Sequence, residues 1–173
     1  MTVSLVVAAA ENDVIGTEGR IPWRLPTDMR RFARMTSGCA VVMGRVTYDS
    51  IVGKLGHPLP GRRSVVISRR PGISAEEVTW VESASAAADA AESFRHAHEQ
   101  QEWFVIGGAS VYQQMLAYVD AIHLTRVHAH VAGDTAMPPG WLDGFSLVTA
   151  EPVDDARADL SYSFLHLGRA SAS

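Results

Sequence analysis

Short apolar runs that alternate with helical patterns constrain the fold of this chain more than any other feature. Helical patterns occur at 27–35, 46–51, 84–99 and 110–117, with Ser83 or Ser85 as candidate N-caps of the third. The apolar runs are rich in β-branched residues, bounded by turn residues and typical of buried strands: 3–10, 40–43, 64–68, 78–81, 103–106 and 121–127. The alternation predicts an α/β fold with a mainly parallel sheet covered on both faces, which binds ligands at the carboxyl ends of its strands.

The last third of the chain departs from this alternation. Residues 147–148 and 162–167 have strand character with no helix between them, which predicts an antiparallel hairpin at one edge of the sheet. We therefore expect one domain over residues 1–168 and a short frayed tail over 169–173. The loops at 11–25 and 53–63 are long for a compact domain, a property typical of functional segments.

Composition excludes several classes of protein. The 173 residues suffice for one core, and 47% apolar with 20% charged residues is typical of a soluble globular enzyme. The net charge of −4 argues against nucleic-acid or anionic-membrane partners. Cys39 is the only cysteine, so neither an intramolecular disulfide nor a thiol-rich metal site is possible. The N-terminal apolar run meets charged residues too soon to span a membrane, and we expect a cytoplasmic protein.

The stretch "IPWRLPTDMRRF" contains an acid on the apolar side of a helix. At roughly 100° per residue, Asp28 falls within an arc of apolar residues, and the arginines fall outside that arc. The arc comprises Met29, Phe32, Ala33 and Met35, and the arginines are Arg30, Arg31 and Arg34. Thr27 or Asp28 could simply cap the helix, a reading to which position alone gives even weight. Otherwise a carboxyl on an apolar face needs a partner, which a cationic or amidine-like ligand would supply.

Two strand-to-helix turns carry glycine and suit phosphate groups. Gly107 and Gly108 follow one strand, while Gly44 and Arg45 follow another, with Thr47 near the start of the next helix. Glycine allows a close approach of the backbone, and free amides at a helix start attract anions. One such turn is weak evidence by itself, but two suit a dinucleotide diphosphate.

Two further basic segments lie at predicted strand ends or turns. "SRR", from Ser68 to Arg70, could hold a phosphate monoester, although an ordinary solvated turn explains it nearly as well. "PLPGRR" presents Arg62 and Arg63, whose planar guanidinium groups match a carboxylate.

Seven segments, in order along nearly the whole chain from about residue 3 to 167, jointly resemble dihydrofolate reductases of the bacterial chromosomal type. They are "VIGTEGRIPWRLPTD", "VVMGRVTYDSI", "PLPGRRSVVIS", "VTWV", "WFVIGGASVY", "IHLTRV" and "GDT". The resemblance implies a single-domain three-layer sandwich around a mostly parallel eight-stranded sheet with an antiparallel C-terminal edge strand. It also implies NADPH-dependent reduction of 7,8-dihydrofolate to tetrahydrofolate in one-carbon metabolism, by a monomer that antifolate inhibitors would bind.

The resemblance implies substrate-site roles for particular residues. Asp28 would accept hydrogen bonds from the pterin ring, Thr125 would steady its carboxylate, and Trp23 would orient a water. Arg62 would pair with the α-carboxylate of the glutamyl tail. The residues that would line the cavity are Val6, Ala8, Met29, Phe32 and Ile51.

The resemblance also implies a cofactor site. Arg45, Ser68 and Arg69 would surround the adenosine 2′-phosphate, which favours NADPH over NADH. The chain departs from the family where Ala109 replaces a third glycine and where Val46 replaces a basic or histidine residue, for which Arg69 could compensate. The remaining residues implied to contact the cofactor are Ala8, Ile15, Gly16, Ile21, Gly44, Val46, Thr47, Ile106, Gly107, Gly108, Ala109, Ser110, Val111, Tyr112 and Thr135.

By the same resemblance, residues 11–24 form a mobile lid with Gly16 and Gly19 as flexible points, and "GDT" at 133–135 supports its closed form. The sequence fits three other functions less well. The related reductase of riboflavin biosynthesis lacks the Trp-x-Leu-Pro-x-Asp segment, and a silent nucleotide-binding module would have no use for Asp28 or the lid. A metal site at His128 and His130 lacks accompanying ligands, so no metal is expected.

Overall fold

The computed structural model describes residues 2–73 and 75–170. Strands and helices alternate through most of this range, as the apolar runs predict. The helices are α1 (Pro26–Thr36), α2 (Arg45–Leu55), α3 (Ala84–Ala97) and α4 (Ala109–Met115), with a 3-10 turn at Leu116–Tyr118. The strands are β1 (Thr2–Ala10), β2 (Val14–Gly16), β3 (Ala40–Gly44), β4 (Arg63–Ile67), β5 (Val78–Val81), β6 (Glu102–Gly107), β7 (Ala121–Val127), β8 (Thr135–Ala136), β9 (Phe145–Val153) and β10 (Tyr162–Arg169).

Eight strands form the main sheet in the order β5-β4-β3-β6-β1-β7-β10-β9. The pairs from β5 to β7 are parallel, and β10 is antiparallel to both β7 and β9. This order places the carboxyl ends of β1, β3, β6 and β7 side by side, where a doubly wound sheet binds ligands. The predicted fold class is confirmed, with two strands rather than one at the antiparallel edge.

Helices cover both faces of the sheet and make three layers. Apolar residues of α3 and α4, such as Ala91 and Met115, pack on one face in the largest core cluster. On the other face, Phe32 of α1 and Ile51 of α2 pack over Val41 and Phe104. The part of the site around Asp28, described below, lies on this second face, because α1 carries Asp28.

The six strands predicted between residues 3 and 127 are confirmed to within one residue at each end, while several other boundaries differ. Helix α2 continues to Leu55 and ends at Gly56 with a φ of 80°, so the loop predicted from residue 53 begins later. Helix α3 ends at Ala97, and its N-cap is Ser83, whose hydroxyl accepts a hydrogen bond from the amide of Ala86 at 3.1 Å. The sequence did not predict the small antiparallel sheet of β2 and β8, because each strand is only two or three residues long.

The C-terminal hairpin is confirmed and is longer than predicted. Strand β9 extends over nine residues and pairs with β10 across a register shift between His166 and Leu167. The tail was predicted to start at residue 169, which the structure places within β10, and residues 171–173 lie outside the described residues. Within the described ranges, no helix is long and apolar enough to cross a membrane.

Candidate active site

Helix α1 begins without a side-chain cap of its own. Its N-cap is Leu25, and Pro26 occupies the first turn, where a missing amide costs nothing. The carboxylate of Asp155, from the loop between β9 and β10, accepts the Thr27 amide at 3.0 Å and the Tyr162 hydroxyl at 2.7 Å. These hydrogen bonds hold the pKa of Asp155 well below its usual value. The interpretation of Thr27 or Asp28 as the helix cap is therefore wrong, since a distant residue supplies the acceptor.

Asp28 instead points toward the sheet. Its Oδ1 accepts a hydrogen bond of 2.6 Å from the hydroxyl of Thr125, a buried residue of β7. Burial raises the pKa of Asp28, while the Thr125 hydrogen bond and the charge of Arg31 oppose that rise. This half-buried carboxylate retains a second oxygen, Oδ2, which can accept N–H donors from a ligand.

The apolar arc of α1 is narrower than the helical wheel predicts. Phe32 and Met35 are half-buried and pack with Val6 and Ile51. Met29, at 66% exposure, lies on the outer side of the helix, as does Ala33. Arg31 is half-buried, contrary to its grouping with the exposed Arg30 and Arg34, because its side chain packs on β10. Val6, Phe32 and Ile51 thus form an apolar wall beside Asp28, with Ala8 packed nearby against Trp23 and Leu25.

Arg62 is oriented by hydrogen bonds at the far end of this wall. Its Nη1 donates to Thr36 Oγ1 at 3.2 Å, and its Nε donates to the carbonyl of Pro60 at 3.0 Å. Thr36 in turn donates to the carbonyl of Phe32. Burial lowers the pKa of Arg62. Since Nη2 is not used in these bonds, the guanidinium can still bind a carboxylate.

The two glycine turns lie next to each other. Met43 and Gly107 are sheet partners, and Gly44 and Gly108 are the N-caps of α2 and α4, neither with a side-chain cap. A Cβ atom added to Gly108 would lie 3.6 Å from Thr47 Oγ1. Gly107 has a φ of 126° and its peptide bond to Gly108 is cis. Uncapped backbone amides from two adjacent turns can bind the charged oxygens of a diphosphate.

Tyr112 connects these turns to the strand that lines the apolar wall. Its buried hydroxyl lies 2.7 Å from the carbonyl oxygen of Val6 and 2.9 Å from that of Ile106, either of which can accept its proton. Burial raises the pKa of Tyr112, with a contribution from the charge of Asp28. The hydroxyl therefore stays protonated and fixes the middle of β1 relative to the end of β6.

Arg45 and Ser68 converge on one carbonyl oxygen. Arg45 Nη1 donates to the carbonyl of Arg70 at 2.9 Å, and the Ser68 hydroxyl donates to the same oxygen at 2.7 Å. The Arg45 guanidinium also lies 5.2 Å from the ring centroid of Trp80 and 3.6 Å from the carboxylate of Asp49. The structure thus brings Arg45 and Ser68 together, with the exposed Arg69 next in the chain.

The predicted lid contacts two other segments of the chain. Gly16 of β2 pairs with Thr135 of β8, and the amide of Glu18 donates to Asp134 at 2.9 Å. At the other end of the lid, the amide of Arg24 lies 3.3 Å from Asp159 Oδ1. Within this segment Trp23 is buried and Ile15 half-buried, whereas Ile21 is 62% exposed.

The predicted cofactor-contact residues at the two helix starts differ in exposure. Val46 is 78% exposed on α2, and Ser110 is exposed at the start of α4, whereas Val111 is buried against the sheet. Ala109 occupies the first turn of α4 without a positive φ, so the departure from a third glycine imposes no backbone strain.

Sequence reasoning missed three residues that shape the site. Asp155 sits in a loop with no motif, and Trp80 stands in "VTWV" without a stated role beside Arg45. Phe164 supports Arg31 from β10. The aromatic residues of the C-terminal strands were the available signal for Phe164, but the pairing of β10 with β7 had to be known first.

His128 and His130 lie in different surroundings. His128 contacts Glu11 at 3.2 Å and Ser163 at 2.8 Å, and His130 is exposed. Across residues 2–73 and 75–170, no group of three or more His, Cys, Asp or Glu side chains could hold a metal ion.

The fold and the site define a doubly wound, nucleotide-dependent enzyme with a half-buried carboxylate on the face of the sheet that α1 covers. The dihydrofolate reductase family model matches residues 2–169. The chain belongs to the dihydrofolate reductase family.

Individual relatives agree with this assignment. The chain is 42% identical to dihydrofolate reductase HdrB of Haloferax volcanii, with 90% of this chain and 86% of the relative covered. It is 31% identical to dihydrofolate reductase of Bacillus subtilis, with 99% and 96% covered. Among solved structures, dihydrofolate reductase from Enterococcus faecalis complexed with NADP(H) and RAB-propyl superimposes with a TM-score of 0.79 at 27% identity, covering 97% of this chain and 96% of the other.

Proposed function

We propose that this enzyme reduces 7,8-dihydrofolate to 5,6,7,8-tetrahydrofolate with NADPH. The observation that carries the proposal is the Asp28–Thr125 pair at the carboxyl end of β7. A carboxylate held this way presents an acceptor to the adjacent amino and ring N–H groups of a pterin. Membership of the dihydrofolate reductase family supports the same reaction.

The substrate would lie along the apolar wall with its two ends held by charge. Asp28 would bind the pterin ring, Phe32 and Ile51 would contact its faces, and Met29 would cover the mouth of the cavity. Arg62, already oriented by Thr36, would bind the α-carboxylate of the glutamyl tail. Antifolate inhibitors that carry an amidine-like ring would use the same carboxylate.

The cofactor-binding residues fit NADPH. The adjoining turns at Gly44 and Gly107–Gly108 offer free amides to the diphosphate, and Thr47 lies between them. Arg45, Ser68 and Arg69 form a cationic and hydroxyl cluster that suits a 2′-phosphate. Ala8, Ile15 and Ile21 would contact the nicotinamide end, and NADPH supplies the hydride there.

The protein residues would direct the hydride and the proton to different atoms. Asp28 would position the pterin so that the hydride reaches C6, and its negative charge would raise the basicity of N5. A water near Trp23 would deliver the proton to N5, which completes the addition of two hydrogens across the C6–N5 bond. Closure of the lid, supported by the Glu18–Asp134 contact, would exclude other water during transfer.

We also propose that the enzyme acts as a monomer in one-carbon metabolism, because one chain supplies every residue assigned to the site. Sedimentation at assay concentration tests the oligomeric state.

The deciding experiment compares three substrates. Purified protein should oxidise NADPH, followed at 340 nm, when given dihydrofolate, and more slowly or not at all with folate. Turnover of the pyrimidine precursor of riboflavin in preference to dihydrofolate would contradict the proposal and favour the riboflavin reductase. Binding of NADPH without any turnover would favour a silent nucleotide-binding module.

A further inference from the structure

Arg31 differs from its two arginine neighbours on α1. Arg30 and Arg34 are exposed, whereas Arg31 is half-buried, with its guanidinium carbon 4.0 Å from the ring centroid of Phe164. A guanidinium group over an aromatic face is attracted by the ring quadrupole, more strongly where water is excluded. Strand β10 therefore fixes the position of this positive charge.

The fixed charge lies next to the proposed substrate anchor. Phe164 is the sheet partner of Thr125, and Thr125 donates the 2.6 Å hydrogen bond to Asp28. Arg31 follows Asp28 by three residues, a spacing that places both on one side of the helix. Two paired residues of neighbouring strands, Phe164 and Thr125, thus each contact one of the two oppositely charged side chains of α1.

The charges of these two side chains interact. Burial raises the pKa of Asp28, and the charge of Arg31 opposes that rise together with the Thr125 hydrogen bond. Burial lowers the pKa of Arg31, and the charges of Asp28 and Glu151 oppose that change. Each group is stabilised in its charged form by the other.

Further titratable groups surround the pair, on every element packed against it. Glu151 of β9 is the sheet partner of Phe164, and His123 of β7 stacks on His166 of β10 with ring centroids 4.8 Å apart. Burial lowers the pKa of His123 to about 4 and raises the pKa of both Tyr112 and Tyr162, so these three groups are neutral at pH 7. The remaining charged groups are the exposed Arg34 and Glu151 and, at the start of α1, Asp155.

We propose that Arg31 is a positioning residue of the reaction, which holds a positive charge on Phe164 behind the Asp28–Thr125 pair and thereby keeps the substrate anchor ionised. The reaction to which this applies rests on the proposed function. The effect of the Arg31 charge on the titration of Asp28 is measurable in the ligand-free protein. The role of Arg31 and the proposed function can therefore be tested separately.

The experiment measures the titration of the Asp28 carboxyl carbon by 13C NMR in the ligand-free full chain. Arg31→Met should shift the Asp28 midpoint to higher pH. Arg31→Lys, which keeps the positive charge, should leave the midpoint close to the wild-type value. Phe164→Leu keeps the charge but removes the ring, so it should shift the midpoint in the same direction by a smaller amount. Arg30→Met is the matched control, because it removes an equal charge from an exposed position one residue earlier.

The same variants are then assayed with dihydrofolate. As the pH is lowered, the KM for dihydrofolate should rise, because protonated Asp28 cannot accept both pterin donors. In Arg31→Met this rise should begin at a higher pH than in the wild type. Equal shifts in Arg30→Met and Arg31→Met, or no shift in Arg31→Met, would overturn the role of Arg31. If Arg31→Met does not fold, the comparison of Arg31→Lys with Phe164→Leu decides, and an unmoved Asp28 midpoint in Phe164→Leu counts against the proposal. If the Asp28 midpoint shifts as expected but the protein does not reduce dihydrofolate, the proposed function is contradicted and the effect of Arg31 on Asp28 is not.

Discussion

Asp28 is the residue on which the proposed chemistry depends most. Asp28→Asn keeps the shape of the side chain but removes its charge and replaces an acceptor oxygen with an amide. We expect NADPH oxidation with dihydrofolate at neutral pH to fall at least about 100-fold, the scale of losing one preorganised electrostatic partner. Asp89→Asn, the same change at an exposed site on α3, should leave the rate within about twofold. A fully active Asp28→Asn variant would remove the carboxylate from the mechanism.

His123 should make stability depend on pH. Burial, then the charges of His166 and Arg31, lowers its pKa to about 4 from 6.5, so the unfolded chain binds more protons between those values. The free energy of unfolding is therefore unaffected by His123 above about pH 6.5. It falls by at most about 3 kcal/mol as the pH falls toward 4, because the folded state resists protonation of His123. In His123→Phe, urea unfolding at pH 7 and pH 5 should show a smaller difference than in the wild type. The exposed His130→Phe should retain the wild-type difference.

The sequence predicted some residues of the site better than others, for a physical reason. Asp28 could be placed inward from helical periodicity, because its neighbours on α1 define a face. The same periodicity misplaced Arg31, since a wheel shows direction but not the aromatic ring of β10 that the guanidinium covers. Thr125 was assigned by resemblance alone, because no local pattern indicates which hydroxyl of β7 would face α1.

At the scale of elements, α1 depends on a loop more than 120 residues away. Asp155 accepts hydrogen bonds from the Thr27 amide and the Tyr162 hydroxyl, which hold its pKa below the ordinary 3.8. It therefore stabilises the fold above about pH 3.8, and this contribution is lost as the pH falls below that value. Asp155→Asn should lower the urea midpoint at pH 7, and the difference from wild type should shrink toward pH 3. Asp154→Asn, at an exposed neighbour, should change neither.

Element types were more predictable than element ends. The inner strands were clear because each is a buried apolar run between turn residues. Helix α2 extends four residues beyond its pattern because Gly56 can adopt the left-handed conformation that ends it. Strands β2 and β8 have too few residues to show any periodicity. They are defined only by their pairing, which joins the predicted lid to residues 135–136.

At the scale of the whole molecule, ligand binding should raise thermal stability by an amount that grows with the logarithm of the ligand concentration divided by Kd. At 100 times its Kd a ligand adds about 2.7 kcal/mol, which is several degrees in Tm for a chain of this size. NADPH should raise Tm more than NADH at equal concentration, because by our proposal the 2′-phosphate would gain Arg45, Ser68 and Arg69 as partners. The double variant Arg45→Gln and Arg69→Gln should reduce the NADPH shift to that of NADH. Equal shifts by both cofactors in the wild type would contradict the assigned cluster.

The position of β10 has a consequence for synthesis. Strand β9 joins the main sheet through β10, yet β10 is the later of the two in the chain. Because the N-terminus of a growing chain leaves the ribosome first, β9 emerges before the strand with which it pairs. One edge of β7 also stays unpaired until β10 has emerged. The partner of Thr125 and the support of Arg31 both arrive with that last strand. A nascent chain should therefore acquire the proposed substrate anchor as one of the final events of folding, after the strands that carry the two glycine turns have emerged.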